Sequence, residues 1–297
     1  MEPITVDTES AGTRLDIHLR SVLSISRAQL VKNIAGIQVN GKSVKPSMRL
    51  SAGDVITVAL LPPAESDVLP ENIPLPIVYE DDAIVVINKP AGMASHASDH
   101  EKSGSVVNAV LFHCRDMQFY GDTSRAGIVH RLDKDTSGIM VVGKSPTAVE
   151  ALQQQFAART VEKIYHAIVA GTVEHEHGIV DAAIGRHPRY RKKMTVRADG
   201  RAARTIYDVL ERLRGATLVR LTPRTGRTHQ LRVHLASIRH PIIGDRIYSK
   251  TAKDYRMKGL ALVAKKLSFD HPVTKERVSF EIEYPEDFKE WLTRLRG

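Results

Sequence analysis

Two short stretches of this 297-residue chain bring together residue types that move protons and bind phosphate. Residues 127–138 read G-I-V-H-R-L-D-K-D-T-S-G, and residues 225–235 read T-G-R-T-H-Q-L-R-V-H-L. A weaker third stretch, residues 163–171, reads K-I-Y-H-A-I-V-A-G, where a tyrosine on a strand is typical of core packing. Carboxylates, histidines and phenols can transfer protons, and arginines pair with carboxylates or phosphates. These stretches are therefore the candidates for a reactive site.

The first stretch is open to three interpretations. It has the composition of a reactive loop on a rigid scaffold, but its D-T-S residues also form turns, so it could be only an elaborate turn. His130, Asp133 and Asp135 could bind a metal, although Arg131 and Lys134 interleave with them and would repel a divalent cation. We therefore expect no metal at this loop.

The second stretch predicts the start of a helix. Leu231 and Leu235 recur at helical spacing, and Arg227, His229 and Arg232 would line the first turn. Backbone N–H groups at a helix start favour an anion, so this stretch by itself fits a phosphate-binding helix start as well as a catalytic site.

Composition and length exclude several classes of protein. Apolar residues make up 42% and charged residues 26%, which is typical of a soluble globular protein, and the length suggests two domains. No apolar run is long enough to span a membrane, and the acidic N-terminus does not resemble a secretory signal. Cys114 is the only cysteine, which excludes an internal disulfide and a thiolate-rich metal centre. We expect a cytoplasmic protein.

Positive charge is concentrated in one segment of the chain. The formal net charge is +9, and residues 186–240 hold fifteen Lys or Arg against three acids, a local charge of +12. Most of these cations are arginines, whose planar fork suits phosphate. The segment favours a nucleic-acid partner, with a solvated basic face as the alternative.

The chain divides into three parts. Residues 1–61 read as a small α/β module with helices opening at Thr13 and Ser26, a strand running into Asn40-Gly41, and a closing strand. Residues 62–76 hold five prolines and predict an extended linker of roughly 40 Å at about 3 Å per residue. Residues 77–297 predict the main domain.

In the main domain, strands do not alternate regularly with helices. Strands are expected at 83–88, 139–142, 165–169, 217–221 and 278–284. Helices are expected at 145–156, through Leu231, Leu235 and Ile238, and at 287–295. This order predicts an α+β fold, with a mixed, mainly antiparallel sheet and flanking helices, rather than a doubly wound parallel sheet. No nucleotide-binding glycine loop is present, so we expect no cofactor.

The N-terminal module resembles the S-four-type RNA-binding module, named for a small-subunit ribosomal protein. The resemblance rests on R-L-D at 14–16, S-R at 26–27, V-N-G-K at 39–42 and G-D-x-I-x-V at 53–58. It implies that Arg14, Ser26, Arg27 and Lys32 face RNA. Residues 12–61 carry a charge of +5, which also fits a basic protein-docking domain.

Taken together, the three polar stretches resemble the RNA pseudouridine synthases, in particular the branch that modifies large-subunit (23S) ribosomal RNA. H-R-L-D-x-x-T-S-G at 130–138 is the most specific of the shared motifs. The resemblance implies that Asp133 is the catalytic aspartate, Tyr165 the active-site tyrosine and Arg232 the basic partner of the aspartate. Further substrate-contacting residues are expected at His130, Arg131, Arg227, His229, Gln230 and Leu262.

The implied reaction needs no electrons, phosphoryl groups or metal, which agrees with the lack of cofactor motifs. Its substrate would be ribosomal RNA, within pre-ribosomal particles, in preference to transfer RNA. The chain departs from the family at Leu262-Val263-Ala264, where L-H-A is usual, and at residues 93–96, where V-V-H-P-G is usual. Two other classes stay open: a non-catalytic RNA-binding or ribosome-assembly protein, and a metal-dependent nuclease.

Overall fold

A computed structural model describes residues 3–23, 30, 36–59, 68–96, 102–115, 126–190, 193–249 and 259–297. Three of the predicted RNA-facing residues, Ser26, Arg27 and Lys32, lie outside these ranges, as do Arg191 and Lys192 of the basic segment. Within the described ranges, no helix has both the length and the apolar character needed to cross a membrane.

The N-terminal residues form a four-stranded antiparallel sheet in the order β1-β4-β2-β3. Its elements are β1 (Ile4–Thr5), α1 (Leu15–Leu23), β2 (Ile37–Val39), β3 (Lys42–Ser43) and β4 (Val55–Val58). Asn40 and Gly41 connect β2 to β3 with φ of 51° and 74°, the predicted tight turn. Leu15 and Leu19 of α1 are buried and Leu23 packs on the same core, whereas Val22 is half exposed.

The eleven strands that follow in the described residues form one large sheet and one small hairpin. The strands are β5 (Ile77–Glu80), β6 (Ile84–Lys89), β7 (Ser137–Gly143), β8 (Glu162–Ala170), β9 (His177–Asp181), β10 (Ile184–Arg186), β11 (Met194–Val196), β12 (Arg204–Leu213), β13 (Ala216–Pro223), β14 (Leu262–Asp270) and β15 (Arg277–Glu281). The large sheet has the order β5-β6-β7-β14-β8-β13-β12-β9, with β15 on β14, and β10 pairs with β11. Among the strands named above, β7–β14 is the one parallel pair, which confirms the predicted mixed, mainly antiparallel sheet.

Helices pack on both faces of this sheet, because alternate residues of its strands point to opposite sides. The helices are α2 (Val106–His113), α3 (Pro146–Ala158), α4 (Gln230–Ser237) and α5 (Glu286–Arg296). Ile84 and Val86 of β6 join the larger apolar core, whereas Val85 and Ile87 join a second core that contains α2. As predicted, α3 starts with Ser145 as N-cap and proline in its first turn.

The predicted linker is not free along its whole length. Val68 is buried in the second core and Leu75 packs against it. Asn108 of α2 donates a hydrogen bond from Nδ2 to the Leu69 carbonyl at 2.8 Å, and the Glu71 N–H donates to the Asn108 carbonyl at 3.0 Å. Residues 68–76 therefore belong to the folded body, and the expected 40 Å spacer is too long. The domain boundaries themselves stay predictions.

Candidate active site

The loop with Asp133 lies at the end of the sheet where β7 begins. Gly138, at the start of β7, has a φ of 123°, and a Cβ there would lie 2.4 Å from the Ala264 carbonyl oxygen of β14. Only glycine permits this close approach of the two parallel strands. The T-S-G end of the first stretch therefore joins the loop to the centre of the sheet.

Lys89, the last residue of β6, ties the same loop down from the other side. Its side chain is fully buried, and Nζ donates to the carbonyl oxygens of Pro90, Met93 and Lys134 at 2.8, 2.8 and 3.1 Å. Burial lowers the pKa of Lys89 to about 8, although the charges of Asp135 and Asp133 oppose this shift. Lys89 therefore holds the backbone of the Asp133 loop, a role that the sequence analysis did not assign.

The second stretch runs from the end of β13 into α4, as predicted. His229 occupies the N-cap position of α4 in the left-handed region, with a φ of 56°. Gln230 fills all four hydrogen-bonding positions of its amide within the protein, with the partners Thr225 Oγ1, the Arg227 N–H, the Arg204 carbonyl and Thr205 Oγ1. Gln230 therefore braces the loop and has no amide group left for the RNA contact expected of it.

Arg232 joins Asp133 to a second, deeper carboxylate. Its Nη1 donates to Asp133 Oδ2 at 3.3 Å, while Nε and Nη2 donate to the two oxygens of Asp245 at 2.7 and 2.9 Å. The Arg232 and Asp245 side chains are 5% and 0% exposed, whereas that of Asp133 is 20% exposed. Asp245 thus fixes the guanidinium by a bidentate bond, and Asp133 is the carboxylate that reaches the cavity.

Burial and neighbouring charges shift the pKa values of Arg232 and His229. Burial tends to lower the pKa of Arg232, but hydrogen bonds and charge from Asp245, and then Asp133, raise it above its ordinary value. Burial lowers the pKa of His229, whose Nε2 lies 4.0 Å from Asp133 Oδ2. Asp133 thus lies between the Arg232 guanidinium and the His229 imidazole.

Tyr165 and Leu262 complete the wall of a cavity of about 440 Å³. This volume lies within the ~300–1,000 Å³ that is usual for sites that enclose a small molecule. Tyr165 lies on β8, next to Leu221 on β13 and Ala264 on β14. Burial, and then the charge of Asp133, raise the pKa of its phenol well above the ordinary value. The Tyr165 hydroxyl therefore stays protonated and can donate a hydrogen bond into the cavity.

His130 has a structural task at the cavity wall. Its Nε2 accepts a hydrogen bond from the Val141 N–H at 3.0 Å, and its ring stacks on Phe156 with centroids 4.6 Å apart. Burial lowers the pKa of His130 to about 3, with smaller contributions from Lys163 and His96. The neutral ring is the form that can accept this backbone bond.

The structure brings all nine predicted residues of the main site to one cavity. They are His130, Arg131, Asp133, Tyr165, Arg227, His229, Gln230, Arg232 and Leu262. Arg14 belongs to the N-terminal sheet region and pairs with Asp16 at 2.7 Å, so its RNA contact stays a prediction.

Two further side chains at the cluster were missed from the sequence. Asp245 was assigned no role from the sequence, yet it holds Arg232. The Tyr248 hydroxyl accepts a hydrogen bond from the Met194 N–H and lies 2.8 Å from His229 Nδ1. The centre of the Tyr248 ring lies 5.2 Å from the Arg232 guanidinium. The G-D string at 244–245 was the available signal for Asp245; Tyr248 had none.

One group with metal-ligand chemistry occurs away from the Asp133 loop in the described part of the chain. Ligand atoms of Glu80, His113 and Cys114 lie within 4.8 Å of one another. Glu80 is already bonded to His113 at 2.8 Å and to Lys144 at 2.9 Å. Burial raises the pKa of the Cys114 thiol to about 11, which opposes its use as a thiolate ligand.

Comparisons with known proteins agree with this geometry. The family model for RNA pseudouridylate synthase matches residues 83–237. A protein of Aquifex aeolicus (strain VF5), described as an uncharacterized RNA pseudouridine synthase, is 42% identical over 98% of this chain and 97% of its own length. Ribosomal large subunit pseudouridine synthase D of Xanthomonas campestris is 40% identical over 98% of this chain and 91% of its own.

A solved structure has the same fold. Human RNA pseudouridylate synthase domain containing 4 aligns with a TM-score of 0.60 and 28% identity, over 74% of this chain and 93% of that chain. The family model, the relatives that align over nearly their whole length and this structural match together show that the chain belongs to the RNA pseudouridine synthase family.

Proposed function

We propose that this enzyme isomerises specific uridines of large-subunit ribosomal RNA, with Asp133 as the catalytic carboxylate. The observation that carries the catalytic part is the placement of Asp133 beside a guanidinium that Asp245 already holds rigidly. The ribosomal substrate is supported by relatives named ribosomal large subunit pseudouridine synthase D, which are 40% identical in both Xanthomonas campestris and Xylella fastidiosa.

The reaction breaks the bond between N1 of uracil and C1′ of the sugar and forms a bond from C5 to C1′. The proton on C5 is lost and N1 gains a proton, so atoms and electrons balance within the nucleotide. The uridine must leave its base stack to enter a cavity, at a cost of a few kcal/mol. In the cavity, the Asp133 carboxylate faces the sugar and can stabilise positive charge that develops near C1′ as the N1 bond breaks.

Tyr165 supports the detached uracil ring in this proposal. Its aromatic face offers a flat surface while the ring turns from N1 to C5, and Leu262 supplies an apolar neighbour. Because burial raises the pKa of the phenol, Tyr165 acts as a hydrogen-bond donor rather than as a phenolate base. Arg232 is a positioning residue that keeps Asp133 oriented toward the cavity.

Part of the RNA affinity is assigned to a surface outside the reacting pocket. The N-terminal module, with Arg14, Ser26, Arg27 and Lys32, is proposed as a second RNA-binding part, supported by its motif order and its charge of +5. Phosphate contacts of this kind add affinity without sequence information, and they offset the cost of extruding the base.

The test compares Asp133→Asn with Asp135→Asn, a matched change at an exposed carboxylate of the same loop. Pseudouridine formed in a transcript of large-subunit ribosomal RNA is measured under single-turnover conditions at saturating protein. Asp133→Asn should abolish conversion and leave RNA affinity within a few fold, because loss of a negative charge does not weaken phosphate binding. Asp135→Asn should convert at a rate close to that of the unmodified protein.

Residual conversion above about one per cent in Asp133→Asn would contradict the catalytic assignment, since loss of an essential group costs far more than a hundredfold. Reverse-transcription mapping of RNA from cells that lack the gene tests the substrate separately. Pseudouridines missing from transfer RNA alone would contradict the ribosomal assignment while leaving the role of Asp133 intact.

A further inference from the structure

Two groups of cations in the main domain differ in their partners, and the first group is already neutralised. Four arginines on the outer strands and the hairpin pair with nearby acids. The pairs are Arg197–Asp199, Arg204–Asp181, Arg212–Glu176 and Arg220–Asp208. Asp199 and Asp208 are already counted in the local charge of +12, and Asp181 and Glu176 lower it to +10, so the segment stays basic. The four paired arginines are poorly suited to hold RNA, because each already has an acidic partner.

The second group lines the active-site cavity. Arg159, Lys163, Arg224 and Arg227 all lie on its wall, and among the described residues none of the four has an acidic partner. Arg227 donates from Nε only to a backbone carbonyl, that of Ala202, at 3.1 Å. These four side chains are named here the rim cations. Two of them, Arg159 and Lys163, come from outside the basic segment.

The fold gathers the rim cations from two chain segments. Strands β8 and β13 are antiparallel neighbours with Tyr165 opposite Leu221, so continuing the register brings the start of β8, with Lys163, beside the end of β13 and Arg224. Arg159 is the C-cap of α3, held in the left-handed region with a φ of 62°. Glu162, the acid nearest in sequence, receives a hydrogen bond from Ser268 instead.

Gathering like charges has a cost that an anion would remove. Burial lowers the pKa of Arg227, and the charges of Arg201 and Arg159 lower it further. Burial likewise lowers the pKa of Lys163, and Arg159 adds to the effect. Arg227 and Lys163 are thus held where neighbouring cations oppose their charge, and a bound anion relieves both the desolvation and the repulsion.

We propose that the rim cations bind the phosphates of the RNA strand on the two sides of the extruded uridine. The inference rests on the proposed function, because it places the target nucleotide in the cavity that Asp133 faces. The two segments supply two cations each, Arg159 with Lys163 and Arg224 with Arg227, so each can hold one flanking phosphate. The site recognises backbone rather than bases, and it fixes the strand while the uridine occupies the cavity.

The experiment measures binding without turnover. All proteins carry Asp133→Asn, and a fluorescent single-stranded oligouridine is titrated by anisotropy at several salt concentrations. The first variant adds Arg159→Gln and Lys163→Gln; the second adds Arg224→Gln and Arg227→Gln. For the one phosphate contact that each variant loses on a single strand, the slope of log affinity against log salt should fall by about 0.7, and affinity near 0.1 M salt should fall roughly fivefold.

The matched control adds Arg212→Gln and Arg220→Gln, which removes the same net charge from arginines that are paired with acids. Its salt slope should equal that of the Asp133→Asn parent. An unchanged slope in both rim variants, or an equal loss in the control, would overturn the proposal. Because no conversion is measured, this outcome is distinct from failure of the catalytic assignment, which residual activity of Asp133→Asn alone would reveal.

Discussion

Removal of Asp245 should loosen the active site while the proposed catalytic carboxylate, Asp133, is kept. Asp245→Ala deletes a carboxylate that is fully buried, binds Arg232 in two places and accepts the N–H groups of Ile247 and Tyr248 at 2.9 and 3.0 Å. Arg232 would then be a buried cation whose remaining carboxylate partner, Asp133, lies 3.3 Å away. Breaking a buried pair by removing one partner costs about 3–5 kcal/mol.

The magnitude follows from the size of the domain. For about 150–250 residues, 1 kcal/mol corresponds to about 2–4 °C, so Asp245→Ala should lower Tm by roughly 6–20 °C. Below the new Tm, the single-turnover rate at saturating RNA should fall at least tenfold (about 1.4 kcal/mol), because Arg232 no longer holds Asp133 in one orientation. Calorimetry and single-turnover conversion measure the two effects separately.

Two further variants make this prediction decisive. Arg232→Met combined with Asp245→Ala replaces the pair by apolar groups and should recover much of the lost stability without recovering the rate. Asp208→Ala breaks the exposed Arg220–Asp208 pair and should cost no more than about 1 kcal/mol. If Asp245→Ala changed Tm as little as Asp208→Ala and converted RNA at the normal rate, the reasoning that Asp245 positions Arg232 would be refuted.

Two other predictions follow from the contacts of His130 and of the chain before β5. Because folding lowers the pKa of His130, the free energy of unfolding should fall as pH drops from 6.5 toward 3, by on the order of 1–2 kcal/mol between pH 7 and 5. In urea unfolding, His130→Gln should flatten this pH dependence, and an unchanged pH profile would contradict a buried, neutral ring. A chain that begins at Ser66 should keep the maximal single-turnover rate but need more RNA to reach it, most clearly at high salt. A chain that begins at Glu71 should in addition lose about 1.5–3 kcal/mol of unfolding free energy, since it lacks the buried Val68. An unchanged half-saturation point in the longer chain would assign the N-terminal module to protein docking.

The sequence by itself determined the parts of the site that depend on local chemistry. A resemblance carried by short motifs implied the roles of Asp133, Tyr165 and Arg232, because a motif within one loop or strand is visible in one dimension. The mainly antiparallel sheet followed from the order of predicted strands and helices, and the start of α3 followed from the residues at 145–146, which act over a few positions.

Only the tertiary structure decided which charges meet. Asp245 lies thirteen residues beyond Arg232, and no periodicity joins them; their pairing follows from the turn after α4. The basic segment looked uniform in sequence, yet its pairs with Asp181 and Glu176 depend on the neighbouring strands β9 and β12 and the turn before β9. The sequence around Lys89 indicates only the end of a strand. The burial of Lys89 against three carbonyl groups depends on the packing of the loops at 90–93 and 133–135. Motifs record residue type, whereas burial and charge pairing depend on distances that only the folded chain sets.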